Sequence, residues 1–431
     1  MNLLGSFVAA FKIPDLRRKI LFTLFIIAIY RFGAHVPTPG VDIQAAQDFA
    51  NQNQRGFYAF INLFSGGAFT QMAIFALGIM PYITSSIIMQ LLTVVIPRLE
   101  AWSKEGESGQ KKINQWTRYL TVILATLQAT VIAFLFREGQ LQTGVSTGRP
   151  LIPDFTPLRV SIIVLSLTAG TALIMWLGEL ITQRGIGNGM SIMIFASIVS
   201  TLPQEGANIL ASKPLGTFLI LCFIALLVVV AIVFMEQGQR RIPVQYAKRV
   251  VGRRMYGGQS VYIPLKINQS GVIPIIFASS VLAIPGMFQQ ALPDSGIGLW
   301  INNNLINAAS PTYMLVYGIM VVFFAYFYTA IAFNPVDQAD NIKKYGGFIP
   351  GIRPGRQTAE YLDRILNRIT LPGAIFIAAI ALLPSVFLAT QGIRDLPFGG
   401  TSILITVGVT LETMKQIESQ LMMRHYEGFL K

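Results

Sequence analysis

Side chains able to do covalent or proton chemistry are few in this 431-residue chain, and they are scattered. His35 and His425 lie near opposite ends, so no serine has a base placed at membrane depth to activate it. Ser65, ahead of Gly66-Gly67, reads as a helix break rather than a nucleophile. Cys222 is the single cysteine, within an apolar run, and forms no disulfide framework. Neither metal-ligand spacing nor a glycine-rich phosphate loop with its lysine is present. Three carboxylates, Glu179, Glu236 and Glu412, could in principle carry protons or bind cations, the chemistry of an ion-coupled secondary transporter. Each stands close to the end of an apolar run, where a long side chain can snorkel, so a central relay is disfavoured. The sequence therefore predicts no catalytic residue, no metal, no cofactor and no enzyme; any energy source must be another protein.

The elements that would hold such residues are membrane spans. The chain is 53% hydrophobic and 12% charged, with a mean hydropathy of +0.57, the signature of a polytopic helical membrane protein. Ten spans are expected: 20–36, 73–96, 119–136, 160–182, 190–206, 214–236, 270–290, 312–333, 370–390 and 400–414. The first is expected to be retained, because no small-residue cleavage site follows Tyr30-Arg31-Phe32-Gly33. Of the 33 Lys and Arg, 26 fall on the side of the N-terminus and six on the other (Arg55, Arg137, Arg149, Arg159, Lys213, Arg394), with Arg31 inside the first span. The positive-inside rule then places both termini in the cytoplasm.

One stretch organises the rest. Gly56 to Pro97 contains no Asp, Glu, Lys, Arg or His. As one helix it would be ~63 Å long, about twice the hydrocarbon core. It must break, and Phe64-Ser65-Gly66-Gly67 is where glycine permits it. Residues 57–70 are too short to span and too apolar for a solvated loop, so a short re-entrant helix is expected there. Irregular backbone at that depth requires surrounding protein or a water-filled cavity. A hydrophobic constriction in such a cavity can gate by dewetting, without any charge.

Two loops, 237–266 and 334–370, are larger than a connection requires. Val261, Ile263, Leu265 and Ile267 alternate as in a strand, and a hairpin would fit. Gly346-Gly347, Pro350-Gly351 and Pro354-Gly355 predict a fixed turn rather than a helix in the second loop, with Thr358 capping a short amphipathic helix through Arg368. The basic residues of both loops have two readings, retention in the cytoplasm or docking of an anionic partner.

These motifs resemble the SecY family, the channel subunit of the bacterial protein translocon. The resemblance rests on Phe64-Ser65-Gly66-Gly67, Ile74 to Ile83, Arg184 to Gly189, Arg240 to Ala247, Pro264 to Asn268, Gly351 to Gly355 and Gly399 to Ser402, in family order over nearly the whole chain. It implies an all-α fold of ten transmembrane helices in two pseudo-symmetric five-helix halves, 1–206 and 207–431, with a short re-entrant plug helix in 57–70. It implies a pore that passes unfolded preproteins across the plasma membrane and releases hydrophobic segments sideways into the bilayer. Matched motif to motif, an apolar pore ring falls on Ile79, Ile83, Met190, Ile194, Ile276 and Ile405. The plug includes Phe60, Ile61, Asn62, Leu63, Phe64, Ser65, Gly66 and Gly67. Met190 departs from the branched aliphatic residue usual at its place, and methionine's adaptability makes a softer seal there. Ile79 with Ile83, and Met190 with Ile194, are i,i+4 pairs that share a helix face. Gln90, Asn268 and Gln269 would bridge a lateral gate, or else cap helices locally. Arg253, Arg254 and Arg353 would dock a SecA motor ATPase or the ribosome. The family's further partners are SecE, SecG, signal-sequence-bearing preproteins and membrane lipids.

Overall fold

A computed structural model of the chain describes residues 11–42, 44–45, 62, 64–137, 152, 155–212, 214–246, 249–251, 254–256, 260–291, 295–391 and 400–429. It divides into two compact units: Met1–Leu215 with Ala283–Asn307 and Val409–Lys431, and Gly216–Leu282 with Ala308–Gly408.

The first unit contains α1 (Pro14–Gly33), α2 (Met80–Val95), α3 (Pro97–Lys104), α4 (Glu107–Arg137), α5 (Pro157–Arg184) and α6 (Gly189–Ser212). Proline opens α1, α3 and α5, where its missing N–H costs nothing. The second expected span differs from the structure. Its helix begins at Met80, not at 73, because residues 66–72 and 74–79 form successive turns. At the other end Ile96 is extended ahead of Pro97, and the chain bends by 101° into α3. Arg98 and Lys112 both lie over the Trp102 ring beyond that bend.

Along α4, Ala125, Ala129 and Ala133 recur every fourth residue, and this small-residue face admits Phe69, Met72, Ala76 and Leu77 from the turn region. Gly170 of α5 serves the same end, since a Cβ there would stand 2.1 Å from the Ile74 carbonyl oxygen. Leu16 and Ile20 of α1 pack with Ile186, Ile417 and Leu421. The last two belong to α13 (Gly400–Phe429), a helix that continues well past the expected end at 414.

The second unit contains α7 (Leu215–Gln237), α8 (Ile273–Ala291) as far as Leu282, α10 (Pro311–Ala332), α11 (Pro335–Lys344), α12 (Arg356–Gln391) and the start of α13. The short α9 (Gly296–Ile301) lies in the segment assigned to the first unit. Phe277 meets Phe324 edge-to-face at 5.5 Å, and the Ser279 and Tyr317 hydroxyls are 3.1 Å apart, so α8 and α10 are joined by both apolar and polar contacts.

The two basic loops do not stand apart. Strands β1 (Gln239–Tyr246) and β4 (Ser260–Lys266) pair antiparallel, with Ile242 opposite Ile263. Strand β5 (Gly347–Phe348) from the other loop pairs with Gln245 and Tyr246, so the order is β4-β1-β5. Pro243 lacks an N–H, yet it lies upstream of the residues that bind β5, so it breaks no ladder bond there. Between them, β2 (Arg249–Val251) and β3 (Arg254–Tyr256) make a small hairpin. Ile242, Val244, Leu265, Phe333, Ile342, Ile349, Leu362 and Leu366 form one core beneath the sheet.

The turn expected from Gly346 to Gly355 stands, with Gly346, Gly351 and Gly355 at positive φ. Ahead of it lies α11, a helix for which there was no expectation: the side chain of Asn334 accepts from Val336 N–H and Pro335 begins the helix. The expectation of a separate amphipathic helix is corrected. The helix runs without a break into the following span as α12, and Thr358 is not its cap, since its hydroxyl donates to the Arg353 carbonyl at 2.9 Å.

Among the described residues, α4, α5, α7, α10 and α12 are each long and apolar enough to cross a membrane, and α2 with α3 makes a sixth if the bent pair is one span. That is a mostly helical, polytopic membrane fold.

Candidate functional site

Among the described residues, the break from Phe64 to Met80 is buried and irregular. Gly66, Gly67 and Gly78 take positive φ of 63°, 87° and 56°, the left-handed region open to glycine, and Met72 joins them at 44°. Phe64 and Ser65 are wholly buried. Ser65 Oγ accepts from Phe69 N–H and donates to the Asn62 carbonyl, each at 3.2 Å, which ties up backbone groups that no helix satisfies. A Cβ on Gly78 would lie 3.0 Å from the Phe64 oxygen and the Ser65 Cα. Backbone therefore rests directly on backbone, one residue before Ile79.

Two neighbours on α1 hold this turn. The Tyr30 hydroxyl donates to the Ser65 carbonyl at 3.2 Å and shares a 2.6 Å hydrogen bond with Ser197 Oγ on α6. Arg31 Nη1 donates to the Gly66 carbonyl and to Ser200 Oγ, both at 2.7 Å. Charge-assisted bonds of this kind are worth roughly 1.5–3 kcal/mol each. Tyr30 also stacks on Phe75 at 5.7 Å, and Gly33 leaves the room: a Cβ there would come within 2.2 Å of that ring. None of Tyr30, Ser197 and Ser200 was singled out by the sequence. The position of Arg31 within an apolar helix was the one available signal, because a charge in a span is retained for use.

The six ring candidates are all buried. In the first unit, Ile79 is the N-cap of α2 rather than an interior residue; Ile83 N–H still donates to its carbonyl at 3.1 Å, so their i,i+4 relation holds. Met190 and Ile194 lie on α6, and Met190 sulfur sits 2.5 Å from where a Cβ on Gly178 would be, so the glycine makes its seat. In the second unit, Ile276 lies on α8 and Ile405 on α13. Of the plug residues, Asn62 and Phe64 to Gly67 are described; Phe60, Ile61 and Leu63 lie outside the described residues.

The gate candidates have different surroundings. Gln90 is a half-buried residue of α2. Asn268 is committed locally: its amide donates to Glu236 Oε1 at 2.6 Å and to the Gly271 carbonyl at 3.1 Å, and its oxygen accepts from Ser270. Gln269 Oε1 is buried with no hydrogen-bond partner among the described residues.

For docking, Arg353 is exposed on a turn framed by Gly351 (φ 81°) and Gly355 (φ 103°). Arg254 is described only as backbone of β3, and Arg253 lies outside the described residues. Two of the three transporter carboxylates are otherwise engaged. Glu179 pairs with Arg118 at 2.6 Å, Glu236 accepts from Asn268, and Glu412 is exposed. Among the described residues no group of three or more His, Cys, Asp or Glu could hold a metal ion.

Comparison with known proteins decides the family. The SecY family model matches residues 73–414. The chain belongs to the SecY family. Its relatives include the protein translocase subunit SecY of Streptomyces scabiei, 56% identical with all of both chains covered. That of Mycobacterium tuberculosis (strain ATCC 25618 / H37Rv) is 52% identical, again over all of both chains. Among solved structures, one of a protein-conducting channel superposes with a TM-score of 0.63 at 18% identity, covering 95% of this chain and 96% of that one. A second, whose plug domain stabilises the closed state of the channel, gives 0.62 at 18% identity, with 95% and 96% covered. Sec61 in a canine ribosome-channel complex gives 0.59 at 17% identity, with the same coverage. At these identities the structures establish the shared SecY fold. The rival transporter reading has no support in any of them.

Proposed function

We propose that the chain is the pore-forming subunit of a protein-conducting channel, which passes unfolded preproteins across the bacterial plasma membrane and lets hydrophobic segments leave sideways into the bilayer. The observation that carries this reading is the match at 56% identity over the full length to a protein translocase subunit. The Asn62–Met80 break fits it physically, since irregular backbone at membrane depth needs protein or a cavity around it.

On this reading ten spans form two halves, 1–206 and 207–431, with both termini cytoplasmic. Ile79, Ile83, Met190, Ile194, Ile276 and Ile405 supply the ring, and residues 57–70 the plug. Burial of all six side chains supports the ring without singling it out, because packing alone also buries apolar residues. A ring of aliphatic groups can close on any passing chain, since dispersion and exclusion of water are non-directional. Gln269, whose buried oxygen has no partner among the described residues, is a stronger gate candidate than the locally bonded Asn268. The sheet formed by both basic loops is the docking body for a SecA motor or the ribosome, with Arg253, Arg254 and Arg353 contributing charge. SecE and SecG complete the assembly.

Vesicles containing the purified complex separate this reading from solute transport. Import of a signal-bearing preprotein driven by the motor, with no uptake of small solutes that depends on Glu179, Glu236 or Glu412, is expected. Solute uptake abolished by neutralising any of the three, without preprotein import, would reverse the assignment.

A further inference from the structure

Arg31 is the one cation placed inside the first span, and its surroundings set a function for it that the ring, gate and docking residues do not cover. Two consecutive residues of α1, Tyr30 and Arg31, grip two consecutive carbonyls, those of Ser65 and Gly66. Each grip is backed by a serine of α6, Ser197 and Ser200, spaced three apart and therefore on one helix face. At position 66 the gripped turn has no room for a side chain. Gly66 has φ of 63°, and a Cβ there would lie 2.9 Å from Ser197 Cα and 3.0 Å from Arg31 Nη1. Geometry at the turn is thus matched to the grip.

The chemistry of the grip is that of a releasable contact. Both acceptors of Arg31 are neutral, a carbonyl and a hydroxyl. Pulling the turn away leaves no carboxylate stranded, the outcome that makes a buried ion pair costly to open. Arg31 itself is only half-buried, so its charge keeps access to water when the carbonyl departs. Its contacts are nevertheless charge-assisted and short, stronger than a neutral pair.

We propose that Arg31, backed by Tyr30, Ser197 and Ser200, is the latch of the segment entering at Asn62: a positioning residue that sets how readily that segment leaves its place. The proposal rests on the reading of residues 57–70 as a movable plug. A purely structural staple would differ, because losing it would loosen the whole first unit.

The test uses the full chain in vesicles, with Cys222 replaced by serine and a single cysteine introduced either at Ala68 or at Ala125. Both alanines are fully buried in the first unit, one beside the turn and one on α4. A membrane-impermeant maleimide reports exposure. Arg31→Gln is expected to speed labelling at position 68 by about tenfold, the loss of one charge-assisted hydrogen bond, and to leave position 125 unchanged. Equal acceleration at both positions, or none at 68, overturns the latch. If Arg31→Gln does not accumulate, Ser200→Ala and Tyr30→Phe decide, each removing one hydroxyl: faster labelling at 68 alone supports the latch, and unchanged labelling overturns it. Preprotein import by the unsubstituted chain is scored in parallel. Its absence counts against the channel reading, whereas import with unaltered labelling counts against the latch alone.

Discussion

The turn region of the first unit and the sheet of the second are both insertions between helices, and they are built on opposite principles. The sheet has a continuous core of eight buried side chains and a seven-residue ladder between β1 and β4. Its stability is distributed, and its cations are displayed on the outside: Arg240, Arg241 and Arg353 are all exposed. Among its described residues, the Asn62–Met80 region has no ladder beyond one isolated bridge, Pro37 with Ala73. It is held by glycine conformations, by apolar contact with the small face of α4, and by side-chain hydrogen bonds from α1 and α6. A body that must receive large partners benefits from the first design. On the proposed reading, a segment that leaves a channel and returns suits the second, where separable side-chain hydrogen bonds replace a ladder.

This contrast can be broken by substitution. The largest effect is expected at Leu265→Ala or Leu362→Ala, each fully buried beneath the sheet. A loss of about 2–5 kcal/mol is expected for such truncation. Limited proteolysis should then cleave loops 237–266 and 334–370 in parallel, because they share one core. Cleavage of one loop alone would show that they are not a single body.

Next comes a matched pair of glycines. Gly66 and Gly346 have similar φ, 63° and 70°, but a Cβ at Gly346 meets nothing within 4 Å. Alanine at either position costs about 1–2 kcal/mol for the left-handed backbone. Gly66→Ala adds the collision with Ser197, so its melting temperature should fall further, and ion leak through a planar bilayer should rise only for this variant. Equal melting and equal leak for the two would remove the distinction between the regions.

The smallest effect on folding belongs to Arg353→Glu. As an exposed substitution it should change stability by no more than ~0.5 kcal/mol. Its binding to purified motor or ribosome should weaken on the order of tenfold, mainly through association rate and strongly with salt. Unchanged binding would leave the basic loops as determinants of topology alone.

How far the sequence could be read depended on the range of the signal. Helical runs, the glycine break and the alternation from Val261 to Leu265 are local features, and helices and a strand stand there. Boundaries shifted where a local rule was overridden. The second span starts late because Gly66, Gly67 and Gly78 all take left-handed conformations, which a count of apolar residues does not register. Thr358 had the look of a cap, but α12 had already begun at Arg356. The turn signals of 334–370 were real, at Gly346, Gly351 and Gly355, yet they hid α11 between Pro335 and Lys344.

By itself the sequence determined the membrane class and the need for a break after Phe64, because hydropathy and backbone freedom are properties of residues and their near neighbours. Only the tertiary structure decided which polar groups meet. Tyr30 reaches a serine 167 residues away and Arg31 one 169 residues away. β5 finds β1 across three intervening strands and the helices α8 to α11. A hydrogen bond between distant segments leaves no periodic trace in either one, since one hydroxyl or one carbonyl suffices and neighbouring residues need not change. The break announced itself in composition; what holds it in place appeared only when α1, α6 and the turn were brought together.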